Sequence, residues 1–366
     1  MVYRMIFENI MHRPIRTLVS ILAVAIEVGM VMLVVGMTHG MLHESAKRVE
    51  GVGADIMVQP SGASLFLGMT QAPMPVKIAD RLAEIPHVLA VAPVLCLLNT
   101  QGRVDLIYGV DMPSFDRVSG GFVYLHGGPF TGPYSIMVDD LYAKAKDVKV
   151  GKTLNFLNHN FQVTGIVMHG KGARLFIPLA TAQDLTGSHD KASIFYVRCT
   201  DPGYTKIVSE SIRSLLPKNQ ILSIKEYMSL MTSNEVPALN TFVTAMVAVA
   251  VGIGFLVIFL SMYTTITERT REIGILKSLG AGKGYIIQVI LWEASLLSIL
   301  GIIAGYAGTW TVRKFIIATF PTLPVELTIH WALWAGLLAM GGSLLGAFYP
   351  AIRAARLDPV DSLAYE

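Results

Sequence analysis

A chain of 366 residues with 53% hydrophobic residues, only 15% charged residues and a mean hydropathy of +0.54 is too apolar for an ordinary soluble enzyme, whose charged share is about 25%. Part of it belongs in lipid. The formal net charge of +3 is spread along the sequence without a basic stripe, which excludes nucleic acid as a partner.

In chain order, a short basic segment over 1–16, with Arg4, Arg13 and Arg16, leads into the first of four apolar runs, 17–38, 238–264, 285–312 and 329–350. Each is long enough to cross a hydrocarbon core, which takes about 20 residues as a helix. The first run lacks a small-residue cleavage pattern behind it and reads as a retained anchor. Two acids interrupt the runs: Glu27 near the middle of the first, and Glu293 about two turns into the third. An intramembrane carboxylate is costly and points to function by default. Glu293 is read as a structural pairing residue, toward Lys283 or an N-terminal arginine; Glu27 stays open between packing and a proton or substrate path. Gly301 and Gly305 on the third run, and Gly342 and Gly346 on the fourth, have the spacing that lets helices approach closely. Packing within one subunit and a subunit interface both remain open for them.

Arginines precede the first run (Arg4, Arg13, Arg16), Lys and Arg fill the 265–284 connection (Arg269, Arg271, Lys277, Lys283) and arginines follow the last run (Arg353, Arg356), whereas 313–328 holds Arg313 and Lys314. The positive-inside rule then puts both termini, 265–284 and the 351–366 tail in the cytoplasm. The insert 39–237 and the short loop 313–328 lie outside. The expected fold class is a membrane protein with four transmembrane helices and a large α+β extracytoplasmic domain between the first and second.

Within that insert, strand-like runs fall at Asp55–Gln59, Val88–Leu95, Val104–Val110, Phe161–Val167 and Ile194–Cys199, and helical patterns at Lys77–Glu84 and Tyr204–Leu216. Strand, helix and strand around Asp55–Leu95, and again around Ile194–Ile224, predict two similar halves with a β-rich lobe inserted between them. Ile224–Pro237 is expected to form a stalk. Cys96 and Cys199 end a strand in each half; two buried free thiols is the preferred reading, and a disulfide is the alternative that an oxidising compartment permits. His39 and His43 stand four apart, and His159, His169 and His189 are scattered, without a second ligand pair at metal spacing, so no metal is expected. Met57, Phe66, Met69 and Met74 suit either a core or a soft apolar contact.

Catalytic signatures are missing: there is no G-x-S-x-G elbow and no H-E-x-x-H. The GAGKG run at Gly280–Gly284 lacks the earlier glycine and the following Ser or Thr of a phosphate-binding loop. Its glycines read as a helix stop, with Gly280 taking the left-handed conformation. Ahead of it, Glu268, Arg269, Arg271 and Glu272 mix signs, while Ile273, Leu276 and Gly280 fall on one face with Ile275 and Leu279 beside them. Such a stripe either lies on a membrane surface or docks on a soluble partner.

The stretch ERTREIGILKSLGAGKGYIIQVILWEASLLSILGIIAG resembles the signature of the ABC transporter permease family typified by the macrolide exporter MacB and the cell-division protein FtsX. The tail YPAIRAARLDPVDSLAYE, with Pro350, Ala354, Pro359 and Leu363, is similar to that family's closing pattern, and GKTLNFLNHNFQVTGIV and LFIPLATAQDLTG resemble parts of its periplasmic core domain. The resemblance implies a dimer, homomeric or of related permeases, and a coupling helix formed by Glu268, Arg269, Arg271, Glu272, Ile273, Leu276, Lys277 and Gly280. It also implies a separate ATPase subunit that carries the magnesium and ATP, the chain itself being no enzyme. Membrane lipid and a periplasmic adaptor are further implied partners. The implied function is export or extraction of a lipid-linked or hydrophobic cargo from the bacterial inner membrane; the alternative is signal transmission to a periplasmic hydrolase or sensor without transport.

Overall fold

Helix α1 (Pro14–Glu50) runs unbroken through 37 residues, in a computed structural model that describes residues 14–63, 72–99, 105–232 and 237–358. Arg4, Arg13, Phe66, Met69, Pro359 and Leu363 lie outside the described residues. The first transmembrane segment was expected to end at 38, but helicity outlasts hydropathy. The stretch after Thr38 contains no proline, and the stop comes only at the Gly51-Val52-Gly53 sequence, where Gly53 adopts a φ of 79°. The chain divides into two units: Met1–Gly40 with Pro237–Ala318 and Val325–Glu366, and Met41–Val236 with Thr319–Pro324.

The outer unit is built on β1 (Ile56–Gln59), β2 (Met74–Pro75), α2 (Ile78–Ala83), β3 (Val88–Asn99), β4 (Asp105–Val110) and α3 (Met112–Ser119). There follow β5 (Tyr124–Gly127), β6 (Ser135–Asp139), α4 (Asp140–Lys146), β7 (Thr153–Phe156), β8 (His159–Val167), β9 (Leu175–Pro178) and α5 (Leu179–Thr186). It closes with β10 (Lys191–Ala192), β11 (Ile194–Cys199), α6 (Thr205–Leu215), β12 (Gln220–Ser223) and α7 (Ile224–Thr232). The predicted stalk Ile224–Pro237 falls on α7 and on 233–236, outside the described residues.

Strand order β12-β1-β11-β3, all antiparallel, with α2 and α6 as the two crossings, is a split β-α-β arrangement of ferredoxin-like type. Ile56, Val58, Leu82, Phe195, Val197, Val208 and Ile212 form its core. The two halves therefore interleave in one layer. The β-rich lobe is continuous with that layer, because β3 pairs with β4, and β4 continues in parallel into β9-β6-β8-β5 with β7 on β8. One ten-stranded sheet results, with a second core around Ile136, Val138, Phe161, Leu175 and Ile177.

The register excludes the disulfide alternative. Cys199 lies opposite Val88, and Cys96 is eight residues further along β3, opposite Tyr108, which at about 3.3 Å per residue leaves roughly 26 Å between them against the 7 Å limit for bridging. Both cysteines are free and buried. Burial pushes the Cys96 thiol up to about 12 and that of Cys199 to about 11, so neither is a thiolate near neutral pH.

The membrane unit comprises α1 up to Gly40, α8 (Pro237–Glu268), α9 (Thr270–Ser278), α10 (Lys283–Thr319) and α11 (Ile329–Arg356). Four of these helices, all but α9, are long and apolar enough to cross a membrane. The third helix continues past the expected 312 to Thr319, stopping where Phe320 precedes Pro321 and loses access to the helical region. Val24, Val28, Val31 and Val35 of α1 pack with Ile258 and Met262 of α8, Ile290, Ala294 and Leu297 of α10, and Ala335, Ala339, Ala347 and Ala351 of α11.

Three of the four predicted packing glycines are close contacts within this unit. A Cβ on Gly301 would fall 2.5 Å from Val24, one on Gly305 2.9 Å from the Ala25 carbonyl, and one on Gly346 2.8 Å from the Phe255 carbonyl. Gly342 has looser contact, with Val251 at 3.5 Å. Here α1 packs against α10, and α8 against α11, backbone to backbone, as small residues in membrane helices allow.

Candidate functional site at the charged helix

Helix α9 is shorter than the expected 265–284 segment because the chain breaks on both sides of it. The α8 helix runs on to Glu268, and Arg269 leaves helical geometry at φ −107°, ψ 18°. Threonines on either side of the break, Thr265 and Thr267 before it and Thr270 after it, turn their hydroxyls back to carbonyls four residues earlier, a habit that bends helices. At the other end Gly280 takes φ 93°, while the Gly280 and Ala281 amides close on the carbonyls of Lys277 and Leu276. This is a left-handed helix stop.

Several of the predicted contact residues face inward and tie α9 to the bundle. Ile273 is buried, and Leu276 is half-buried beside it in a cavity of about 320 Å³ that Ile266, Ile286 and Ile290 also line. Arg269 donates to Glu272 at 2.8 Å and reaches Glu293 at 3.5 Å, with 17% of its side chain exposed. Lys277 donates to the carbonyls of Ala355 and Leu357, closing the C-terminal end of α11. Glu268 pairs with Arg16 of α1 at 3.1 Å; this pair is half in solvent and contributes at most about 1 kcal/mol. The helix is thus fastened to α10 through Arg269 at its N-cap and to the end of α11 through Lys277, while Glu268, the last residue of α8, ties α8 to α1.

Arg269 is thus an ion-pair partner of Glu293, and Arg16, one of the N-terminal arginines, also acts on it electrostatically, whereas Lys283 makes no ion pair with it among the described residues. A nearly buried pair of this kind collapses if either charge is removed, since the survivor is left unpaired in a low-dielectric site. Glu27 differs: it is 4% exposed, and among the described residues neither carboxylate oxygen has a hydrogen-bond partner. It sits in a notch on α8 where Gly254 has no room for a side chain, with Gly342 of α11 nearby.

What faces solvent is a different set. Glu268, Arg271, Glu272, Ile275, Ser278, Leu279 and Gly280 are exposed, Leu279 to 80%. Ile275 and Leu279 are one turn apart and make an apolar pair rimmed by charges of both signs. The sequence places them beside the stripe rather than at its centre; their i, i+4 spacing with Arg271 was the available signal. Tyr285, 40% exposed, opens α10 next to them.

Comparison with known proteins bears on this arrangement. Residues 17–215 match the MacB-like periplasmic core domain, more than half of the chain, and residues 244–359 match the FtsX-like permease C-terminal domain. The chain belongs to the MacB-like, FtsX-like family of ABC transporter permeases. The charged helix falls inside the second matched region. Among relatives of this permease, the macrolide export ATP-binding/permease protein MacB of Neisseria gonorrhoeae is 23% identical over 100% of the chain and 61% of its own length. The pyoverdine export ATP-binding/permease protein PvdT of Pseudomonas savastanoi pv. phaseolicola is 26% identical over 96% of the chain and 57% of its own length. The chain spans about three-fifths of the length of these curated relatives. Among solved structures, the periplasmic region of MacB from Actinobacillus actinomycetemcomitans is 18% identical, covers 48% of this chain and 92% of its own, and superposes with a TM-score of 0.38. Four apolar helices with a periplasmic-type domain fit a membrane protein of the bacterial inner membrane.

Proposed function

We propose that this permease couples ATP hydrolysis on a separate nucleotide-binding subunit to movement of its outer domain, exporting or extracting a lipid-linked or hydrophobic cargo. The observation that carries the reading is the outward face of α9. An exposed Ile275–Leu279 pair with Arg271 and Glu272 at its rim suits a groove on a soluble protein: apolar residues supply adhesion and charges supply orientation. The other side is tied to two spanning helices, to α10 through Arg269 and to α11 through Lys277, so a displacement of α9 is passed to both. Export is supported by the names of the relatives, which join ATP binding to permease. On this reading both termini and α9 are cytoplasmic, the permease works as a dimer, and nucleotide and magnesium are held by the partner.

Affinity purification in mild detergent tests it. The expected result is recovery of a chain with a complete phosphate-binding loop, whose ATPase rate changes when the permease is present. Purification of the permease alone, with no ATPase responding to it, would count against the reading.

A further inference from the structure

The outer unit holds a cavity of about 810 Å³ to which the proposed coupling contributes no residue. Its origin is a gap in the sheet. Strand β3 runs from Val88 to Asn99 but pairs with β4 only from Val94 onward, which leaves one side of Val88–Pro93 without a strand among the described residues. Pro93 has no N–H with which to extend a ladder there. Leu89, Val91 and Pro93 line the cavity together with residues of α2, α3 and α5.

Prolines make the wall stiff as well as apolar: Pro93, Pro113, Pro133 and Pro178 all line it, each with φ fixed by its ring. Leu89 is 58% exposed and leaves apolar surface open to whatever enters. A preformed, mainly apolar cleft of this size falls in the range of about 300–1,000 Å³ that holds small organic molecules.

The charged lining narrows the ligand, because one sign is in excess. Asp80, Asp111 and Asp190 line the cavity against a single cation, Arg117, among the described residues. Arg117 turns its Nε to the Pro113 carbonyl at 3.3 Å, and Asp111 uses one carboxylate oxygen to cap α3 through the Ser114 amide at 3.1 Å. Asp80 and Asp190 are exposed and enter no ion pair among the described residues, while Lys77, Arg81 and Lys191, near them in the chain, do not line the cavity. An apolar wall with accessible, unpaired carboxylates fits a molecule with an apolar body and a positive charge. We propose that this cavity binds an amphipathic organic cation. As a class of cargo this rests on the export reading above; as a binding site it does not, and its test needs no ATPase.

The full chain in nanodiscs of zwitterionic lipid is dialysed to equilibrium against tetraphenylphosphonium or tetraphenylborate, two ions of the same shape and opposite charge, with empty nanodiscs subtracted. One phosphonium per chain is expected at micromolar concentration, as for a ligand of about 25 non-hydrogen atoms, with the borate at least about tenfold weaker. Asp80→Asn with Asp190→Asn should weaken phosphonium binding about tenfold and remove the preference between the two ions. Ala83→Trp, at an exposed lining position of α2, should weaken both ions without moving the thermal transition. Phosphonium binding unchanged in either variant would overturn the proposal, as would none above that of empty nanodiscs. The borate bound as tightly as the phosphonium would also overturn it, by making the cavity a merely apolar surface. An ATPase recovered with a permease that binds no phosphonium would remove this site and leave the export reading standing.

Discussion

Replacing Ile275 and Leu279 together by Asp should abolish coupling while leaving the permease folded. An anchoring side chain at the centre of an interface is worth about 2 kcal/mol or more, so losing either one costs roughly 30-fold in affinity. Putting carboxylates in their place adds desolvation of charge against the partner's groove. Both side chains are exposed and Leu279 is 80% so, and surface changes of this kind usually move stability by less than about 0.5 kcal/mol. Copurification of the ATPase, and stimulation of its rate by the permease, are the readouts. Ser278→Ala, on the same surface, serves as the silent control. Undiminished copurification with the double variant would remove α9 as the docking element.

Gly301→Leu with Gly305→Leu should lower the thermal transition in detergent sharply. The added side chains meet Val24, Val28 and the backbone of α1, which cannot yield as a flexible side-chain tip can. Overpacking costs about 1–3 kcal/mol per site, so the pair should be among the most destabilising changes in the spans. Gly308→Leu and Gly341→Leu, where nothing lies within 4 Å of a new Cβ, should leave the transition in place. If instead Gly308→Leu unfolds the protein while the Gly301 and Gly305 changes are silent, α1 does not pack on α10 in this way.

The four spans and the strand-helix-strand halves were legible because each rests on a local pattern: a long apolar run, or alternation bounded by turns. Where the structure departs, the deciding interaction is not local. Helix α1 outruns its apolar run because nothing between Thr38 and Gly51 stops a helix, and hydropathy reports burial in lipid rather than backbone state. The lobe joins the core sheet through the parallel β4–β9 pair, between strands about 65 residues apart, which no spacing announces. On α9 the pattern shows an amphipathic helix but does not say which edge of its stripe meets the bundle. Ile273 takes the inside and Leu279 the outside because Lys277 is drawn to the end of α11 and Arg269 to Glu293. Both partners lie on other helices, and so does Gly254 opposite Glu27.

A single engineered cysteine decides most directly whether α9 is the cytoplasmic docking element. Cys96 and Cys199 are buried and held as thiols, so a Leu279→Cys chain presents one reactive site to a membrane-impermeant maleimide. Labelling is predicted only after the cytoplasm is opened, and is predicted to fall when the ATPase is bound. Labelling of position 279 in intact cells from the periplasmic side would contradict it.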